Sequence, residues 1–445
     1  MMSKEIILSR LEEERIQFIN LWFVDIAGGV KSIIIPSSRA ETVLDRGMLF
    51  DGSSIEGGTR AVESDMLLLP DLDTFTILPW DVQQERVARL ICTVHTPQGE
   101  PFLGDPRTVL KQALDKARQM GFIYKTGVEL EFFLFQRPTP ESSLTTLLPH
   151  DEVSYFDLST NFTQSIRRKM VATLTELGMC VDSAHHEIGS GQHEIDFDYN
   201  DALVSADQIL TARVALKSVA QRNGLHCTFM PRPRRDLPGS GMHTHQSLHD
   251  AETGKNVFAN TENEYGLSEV GRYFLAGQLH HARGMTAVLA PLVNSYKRLG
   301  TSFEAPVYVT WAHINRSALI RVPSVMPGDE EHARLELRCP DPSSNPYLAA
   351  AVMLYAGLDG IRQRLPLPEP LEETLLGQDR IRLRHAEVLP NSLEEALAAL
   401  AEDDVVLSAL GPHISDSFMK AKRQEVEDYN QQVTSWELDN YLNRY

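Results

Sequence analysis

An α+β fold in two parts is what this sequence predicts, and three patterns predict it. Over roughly the first 100 residues the apolar periodicity runs β-β-α-β-β, the order of one small sheet domain. From Asp105 onward, helical periods alternate with strands that short loops rather than helices separate, which marks antiparallel pairing. The run G-V-E-L-E-F-F-L-F (127–135) alternates as a strand does, with side chains pointing to opposite faces at a period of two. G-E-P-F-L-G-D-P (99–106) reads as a linker, so the domains are 1–104 and 105–445. The larger one is expected to be an α+β domain built on a curved antiparallel sheet with surrounding helices.

Taken in order, residues 3–15 form a short helix capped by Ser3. Strands at 16–25 and 30–35 flank Ala27-Gly28-Gly29, a hairpin turn. Ser38-x-x-Glu41 is a capping box opening a helix that ends near Gly47. The Gly/Ser-rich loop F-D-G-S-S-I-E-G-G-T-R (50–60) follows, and strands near 66–69, 74–80 and 87–95 complete the sheet. In the second domain the helices fall at 106–120, 161–177, 201–222, 267–283, 346–364, 392–400 and 414–431. The strands fall at 122–135, 179–188, 192–198, 225–230, 242–248 and 333–338.

The strand 127–135 carries a chemical oddity. Glu129 and Glu131 project from one face, about 6–7 Å apart at ~3.3 Å rise per residue. Two like charges so close in an apolar strand are costly unless something positive sits between them, and a hard divalent cation is the natural candidate. A polar face open to water is the plain alternative. H-H-E-I-G-S-G-Q-H-E-I-D-F (185–197) adds Glu187 and Glu194 around a Gly-rich turn. G-S-G-M-H-T-H-Q-S (239–247) sets His243, His245 and Ser247 on one strand face, and R-L-E-L-R (334–338) does the same for Arg334, Glu336 and Arg338. Five glutamates and one histidine suffice for two cations, and oxygen-rich ligation favours Mg²⁺ or Mn²⁺ over zinc. Two such ions suit phosphoryl transfer. Arg298, Arg316, Arg321, Arg334 and Arg338 can grip phosphate or carboxylate bidentately, although any one of them could equally be a surface ion pair. F-E-A-P (303–306) reads as a mobile loop carrying Glu304, or as an ordinary surface loop.

Composition narrows the partners. Sixty-one acidic against 42 basic residues give a net charge of −19, which disfavours nucleic acid. The four cysteines form no C-x-x-C pair, so reduced thiols in a cytoplasmic protein are expected. No signal peptide or membrane span is expected, since no apolar run approaches ~18 residues.

The motifs together closely resemble bacterial type I glutamine synthetase. F-D-G-S-S-I-E-G, E-S-D-M, E-L-E-F-F-L-F, H-H-E-I-G-S-G-Q-H-E-I-D-F, G-S-G-M-H, N-S-Y-K-R-L, F-E-A-P, N-R-S and D-P-S-S-N-P-Y-L-A run in the family's order from about residue 20 to the C-terminus. The resemblance implies a β-grasp N-terminal domain, a catalytic domain, and a homo-oligomer, a dodecamer of two stacked hexameric rings with active sites between subunits. It implies ATP, L-glutamate and ammonium as substrates. One metal would be held by Glu131, Glu187 and Glu194, and the other by Glu129, His243 and Glu336. Gly239, Arg298 and Arg338 match glutamate-binding positions, and Asp182, His245, Ser247 and Arg321 match nucleotide or phosphate contacts. Arg316 matches the arginine on the transferring phosphoryl group, Glu304 the flap acid. Asp51 matches the general base and, with Ser53 and Tyr155, the ammonium site.

Departures from the family pattern are few. The flap reads R-L-G-T-S-F-E-A-P, without the usual Pro-Gly; Pro238 replaces an Asn, and Asp182 replaces a Glu. No tyrosine in 380–395 matches an adenylylation loop. The chain resembles the shorter, feedback-inhibited branch, Arg60 matching its inhibition-linked arginine; a regulatory protein partner stays open. Two other outcomes stay open: a ligase joining glutamate to an organic amine such as putrescine or ethanolamine, and a non-catalytic member of the family.

Overall fold

The computed structural model describes residues 2–54, 65–80, 85–137, 148–158, 162–260, 262–263, 265–300, 305–326, 328–372 and 386–445. Arg60 and Glu304 lie outside them. The helix α1 (Lys4–Glu13) starts where Ser3 accepts a hydrogen bond from the Ile6 amide, as expected. Strands β1 (Phe18–Val24) and β2 (Val30–Pro36) pair antiparallel through a turn in which Gly28 has φ +85. The Ser38–Glu41 box does not form. A 3-10 turn over Ser37–Arg39 runs straight into α2 (Ala40–Arg46), leaving Arg39 at the cap in helical backbone with no side-chain bond. A cap needs extended backbone there, and the turn removes it.

Strand β3 (Met48–Asp51) was not expected; four residues carry too little alternation to register. The two strands expected near 66–69 and 74–80 are one, β4 (Asp65–Ile77), whose pairing with β5 (Val87–His95) shifts register between Asp71 and Thr76. The bulge breaks the period of two without ending the strand. The sheet order is β2-β1-β5-β4-β3, with β1 and β5 parallel.

The second sheet positions the chemistry. Its strands are β6 (Phe122–Gln136), β7 (Val181–His186), β8 (Gln192–Asp201), β9 (Leu225–Thr228), β10 (Met242–Asp250), β11 (Trp311–Ala312), β12 (Ile320–Arg321) and β13 (Leu335–Leu337). They lie in the order β11-β12-β13-β10-β6-β8-β7, with β9 also on β6. On one face of β6, Val128, Leu130, Phe132 and Leu134 are buried with Ile166, Met170 and Leu174 of α4 (Phe162–Glu176) and Leu216 of α5 (Ala202–Arg222). Each such side chain contributes about 1.5–3 kcal/mol by leaving water. That burial fixes the register, and hence sends Glu129 and Glu131 to the opposite face.

Helix α3 (Pro106–Gln119) is capped by Asp105. Its Arg107, 2% exposed, bonds both Asp207 of α5 and Asp71 of β4 at 2.8 Å, tying the two sheets' surroundings together. The helix expected over 267–283 breaks at His281 into α6 (Glu269–His280) and α7 (Ala282–Leu289). The short α8 (Ser295–Leu299), α9 (Pro346–Gln363) and helices at Leu393–Ala401, Asp404–Asn430 and Ser435–Tyr441 follow. The expected 414–431 helix follows Gly411, whose non-helical backbone (φ 73, ψ 161) separates it from a short helix that begins at Asp404. Among the described residues no helix is long and apolar enough to cross a membrane.

His281 explains the break. Its Nδ1 lies 2.9 Å from Asp403, the cap of the Asp404–Asn430 helix, and its Nε2 lies 3.2 Å from Asp359 of α9. Burial opposes protonation, but the hydrogen bond and charge of Asp403, then those of Asp359, outweigh it and raise the pKa. A raised histidine stabilises the fold fully below its unfolded value near ~6.5, and that stabilisation is lost as pH climbs through the folded value. His281→Ala is expected to cost about 3 kcal/mol at pH 6, as breaking a buried pair does. Thermal melts of both proteins from pH 6 to 9 check this: the gap in melting temperature should narrow as pH rises.

Candidate active site

The strand registers assemble the polar face. Across the sheet, Arg321 of β12 pairs with Glu336 of β13, and Glu336 with His245 of β10. His243 of β10 pairs with Glu129 of β6, Glu131 with Glu194 of β8, and Glu194 with His185 of β7. Acidic and basic side chains thus step across the strands on one side. The result is a cavity of about 480 Å³ lined by Glu129, Glu131, Glu187, Glu194, His243 and Glu336. Arg316, Arg321, Arg338 and Tyr155 line it too. All six expected metal-ligand positions therefore share one cavity.

Ligand atoms within it fall into two tight groups, Glu129 with His243 and Glu336, and His185 with Glu187 and Glu194. His185 was not expected there, although its period-two spacing from Glu187 carried the signal. Glu131 stands beside the second group with one oxygen already engaged, accepting from the Gly241 amide at 2.9 Å and the Gln192 amide at 3.0 Å. Gly241 is required here, since a Cβ would lie 2.6 Å from Arg298 and 2.9 Å from His243.

The electrostatics are lopsided. Glu336 is ion-paired with both Arg321 and Arg338. The Glu129 carboxylate lies 2.9 Å from His243 Nδ1 and 2.8 Å from His245 Nε2. Burial opposes its ionisation, but these imidazoles hold it well below the usual carboxylate range. The Arg334 Nε donates to His245 Nδ1, so the proton of a neutral His245 sits on Nε2, facing Glu129. Burial and then Arg338 depress His243, keeping it neutral and able to ligate. Among the described residues no lysine or arginine pairs with Glu187 or Glu194, whose basic neighbour is His185. Burial, then the charges of Glu131, Glu129, Asp196 and Glu187, push Glu194 up to about 12. Burial and neighbouring carboxylates likewise raise Glu131 and Glu187.

Such a donor set fits hard divalent cations, oxygen-rich with single imidazoles. It also makes a prediction. Glu194, raised that far, is protonated at neutral pH, so cation binding there must release a proton and strengthen as pH rises. Without a cation the raised carboxyls weaken the fold as pH climbs past their unfolded values near ~4.3. Calorimetry of Mn²⁺ binding in buffers of different ionisation enthalpy should show net proton release at pH 7.

A second cavity of about 260 Å³ adjoins the first, sharing Glu129 and Asp196. Asp182, His245 and Ser247 line it, together with Lys125, Tyr199 and Arg334. Arg298 is placed differently from Arg316. It is 3% exposed, and its fork donates to the carbonyls of Arg338, Cys339 and Pro340. Gly239 packs on its stem: a Cβ there would lie 2.6 Å from Arg298 Cγ. Asp51 and Ser53 bond each other on the exposed end of β3 and do not line the cavity of their own chain. A third group, His150, Asp151 and His193, lies outside both cavities. Arg167 donates to His193 Nδ1, which leaves its other nitrogen protonated and unfit to ligate.

Two carboxylate–histidine groups and three arginines that share one cavity, with a second pocket beside it, make this the candidate active site of an enzyme. Residues 15–97 match the family described as "Glutamine synthetase, beta-Grasp domain", and residues 103–441 match "Glutamine synthetase, catalytic domain". The chain is 48% identical to a glutamine synthetase of Thermus thermophilus, covering 100% of this chain and 99% of that one. It is 46% identical to one of Clostridium saccharobutylicum, with the same coverage. A solved structure titled "GmaS/ADP complex-Conformation 1" superposes with a TM-score of 0.87 at 33% identity, covering 98% of this chain and 99% of that one. The chain belongs to the glutamine synthetase family and is a ligase.

Proposed function

We propose that the protein joins ammonia to L-glutamate at the expense of ATP, through γ-glutamyl phosphate, giving L-glutamine, ADP and phosphate. The observation that carries this reading is the single cavity that holds both ligand groups, Arg316 and Arg321, and opens into a second pocket. ATP occupies that pocket, lined by Asp182, His245 and Ser247. Bound Mg²⁺ or Mn²⁺, two or more per site, supplies charge neutralisation for an anion attacking an anion.

The chain's own groups do the rest. Glu129, His243 and Glu336 hold the nucleotide-side ion, and Glu131, Glu187 and Glu194 the other, with His185 beside them. Arg338 and the Gly239 backbone orient glutamate, over a floor that Arg298 braces. Arg316 faces the transferring phosphoryl group, and Arg321 the nucleotide phosphates. Carboxylate oxygen attacks the γ-phosphorus, the bond to ADP breaks, and the amine then displaces phosphate from the acyl carbon. Ammonium must first lose a proton, which Asp51 of an adjacent subunit accepts, with Ser53 and Tyr155 as further walls. A dodecamer supplies that neighbour, and Glu304 closes the site. Residues 1–104 and 105–445 act as the two domains of this arrangement, in the cytoplasm, under feedback control linked to Arg60 rather than adenylylation.

One observation favours a second reading, an organic amine as acceptor. Ile188 and Ile314, 47% and 73% exposed, line the cavity and could cover an alkyl tail. Phosphate release with glutamate, ATP and Mg²⁺ decides the matter when ammonium is compared with methylamine, ethanolamine and putrescine. Ammonium is expected to be fastest. Faster turnover with an organic amine overturns the ammonia assignment, and no turnover with any acceptor overturns both.

A further inference from the structure

Behind the cavity, one buried carboxylate ties together the two segments that build its acceptor end. Asp151 lines neither cavity, and its side chain is 4% exposed. Its Oδ1 accepts from the Gly191 amide at 2.8 Å and lies 3.1 Å from His186 Nε2. Its Oδ2 accepts from Thr163 Oγ1 at 2.7 Å and lies 3.1 Å from His150 Nε2. Both histidines turn their Nδ1 toward backbone carbonyls, His186 to Glu187 at 2.6 Å and His150 to Leu134 at 3.1 Å.

Two of these contacts act on the β7–β8 hairpin. His186 directly precedes Glu187, and Gly191 makes the turn before Glu194, with φ +73. The Gly191 position is closed on its other side as well, for a Cβ there would lie 2.6 Å from the Leu134 carbonyl. Asp151 also begins the segment that carries Tyr155, and the Phe156 amide donates back to the His186 carbonyl at 3.2 Å. A carboxylate held by the Gly191 amide, the Thr163 hydroxyl and His186 is costly to desolvate, and two of those three hydrogen bonds go to the turn between two ligand positions.

We infer that Asp151 is a positioning residue: it sets the spacing of Glu187 and Glu194 and the placement of the Tyr155 wall together, through Gly191 and His186. The inference rests on the reading of Glu187 and Glu194 as metal ligands. Partners of metal ligands change affinity about 10–100-fold when altered.

Asp151→Asn keeps the shape and loses the charge. In the full-length protein it is expected to weaken Mn²⁺ binding about 10-fold or more, read by paramagnetic resonance of free Mn²⁺. The KM for ammonium should rise alongside, with a smaller change in kcat. Thr163→Val, which removes one donor and leaves the carboxylate, should shift both quantities in the same direction by less, and it serves if the Asn variant fails to fold. Unchanged Mn²⁺ affinity and KM in folded variants, with only the active fraction reduced, would overturn the inference. A wild-type protein that binds no Mn²⁺ would instead sink the metal-ligand reading beneath it.

Discussion

Glu194→Gln is expected to lower turnover about a thousandfold while leaving the metal-free fold at least as stable as before, because glutamine needs no proton to stay neutral in the fold at neutral pH. The two halves of that result come from one fact. Glu194 is nearly buried, faces Glu131 across the strand pair, and is pushed up to about 12 by burial and the surrounding carboxylates. Without a cation it is therefore a neutral acid, and glutamine is its close isostere. The substitution removes a ligand the cation needs and no charge that the bare fold possesses. A cation's share of transition-state charge stabilisation is several kcal/mol, and about 4 kcal/mol corresponds to about a thousandfold in rate. Melting curves with and without Mn²⁺ check the rest: the wild type should gain stability from the ion, the variant much less. A variant that melts far below the wild type in the absence of metal would contradict this account of the cavity.

Arg316→Ala should cost a similar factor by a different route. The side chain lines the 480 Å³ cavity, as Tyr155 and Ser324 do. A guanidinium on the transferring phosphoryl group is worth roughly 10³–10⁵ in turnover. The loss should fall mainly on kcat, because the charge it meets is greatest in the transition state. Mn²⁺ affinity should stay within about twofold of the wild type, since among the described residues Arg316 pairs with none of the proposed ligand carboxylates. Steady-state kinetics with a parallel Mn²⁺ titration separates the two. A rise in KM with kcat unchanged would place Arg316 in ground-state binding instead.

Much of this site was legible because a strand's period of two is unambiguous. The alternation around Glu129 and Glu131 fixed their shared face, and H-x-H and R-L-E-L-R fixed those of β10 and β13. What alternation cannot give is register between strands. Spacing placed His185 on the side of Glu187, and its pairing with Glu194 shows it in the second ligand group. Arg298 is the converse case: the motif N-S-Y-K-R-L identified it, but only packing shows its fork spent on three backbone carbonyls. At the N-terminus, Ser38 had the right spacing for a cap, and the preceding 3-10 turn denied it the backbone. Asp51 was singled out from a loop motif, and its exposed position away from its own cavity fits a role that needs a neighbouring subunit.

The most direct test of the central claim follows an oxygen atom. With L-glutamate labelled by ¹⁸O in the γ-carboxylate, the attack of that carboxylate on the γ-phosphate of ATP transfers one labelled oxygen to the released phosphate. Mass spectrometry of the phosphate formed with ammonium, ATP and Mg²⁺ should find one ¹⁸O for each amide made. Phosphate that carries no label while amide accumulates would contradict an acyl-phosphate mechanism in this cavity.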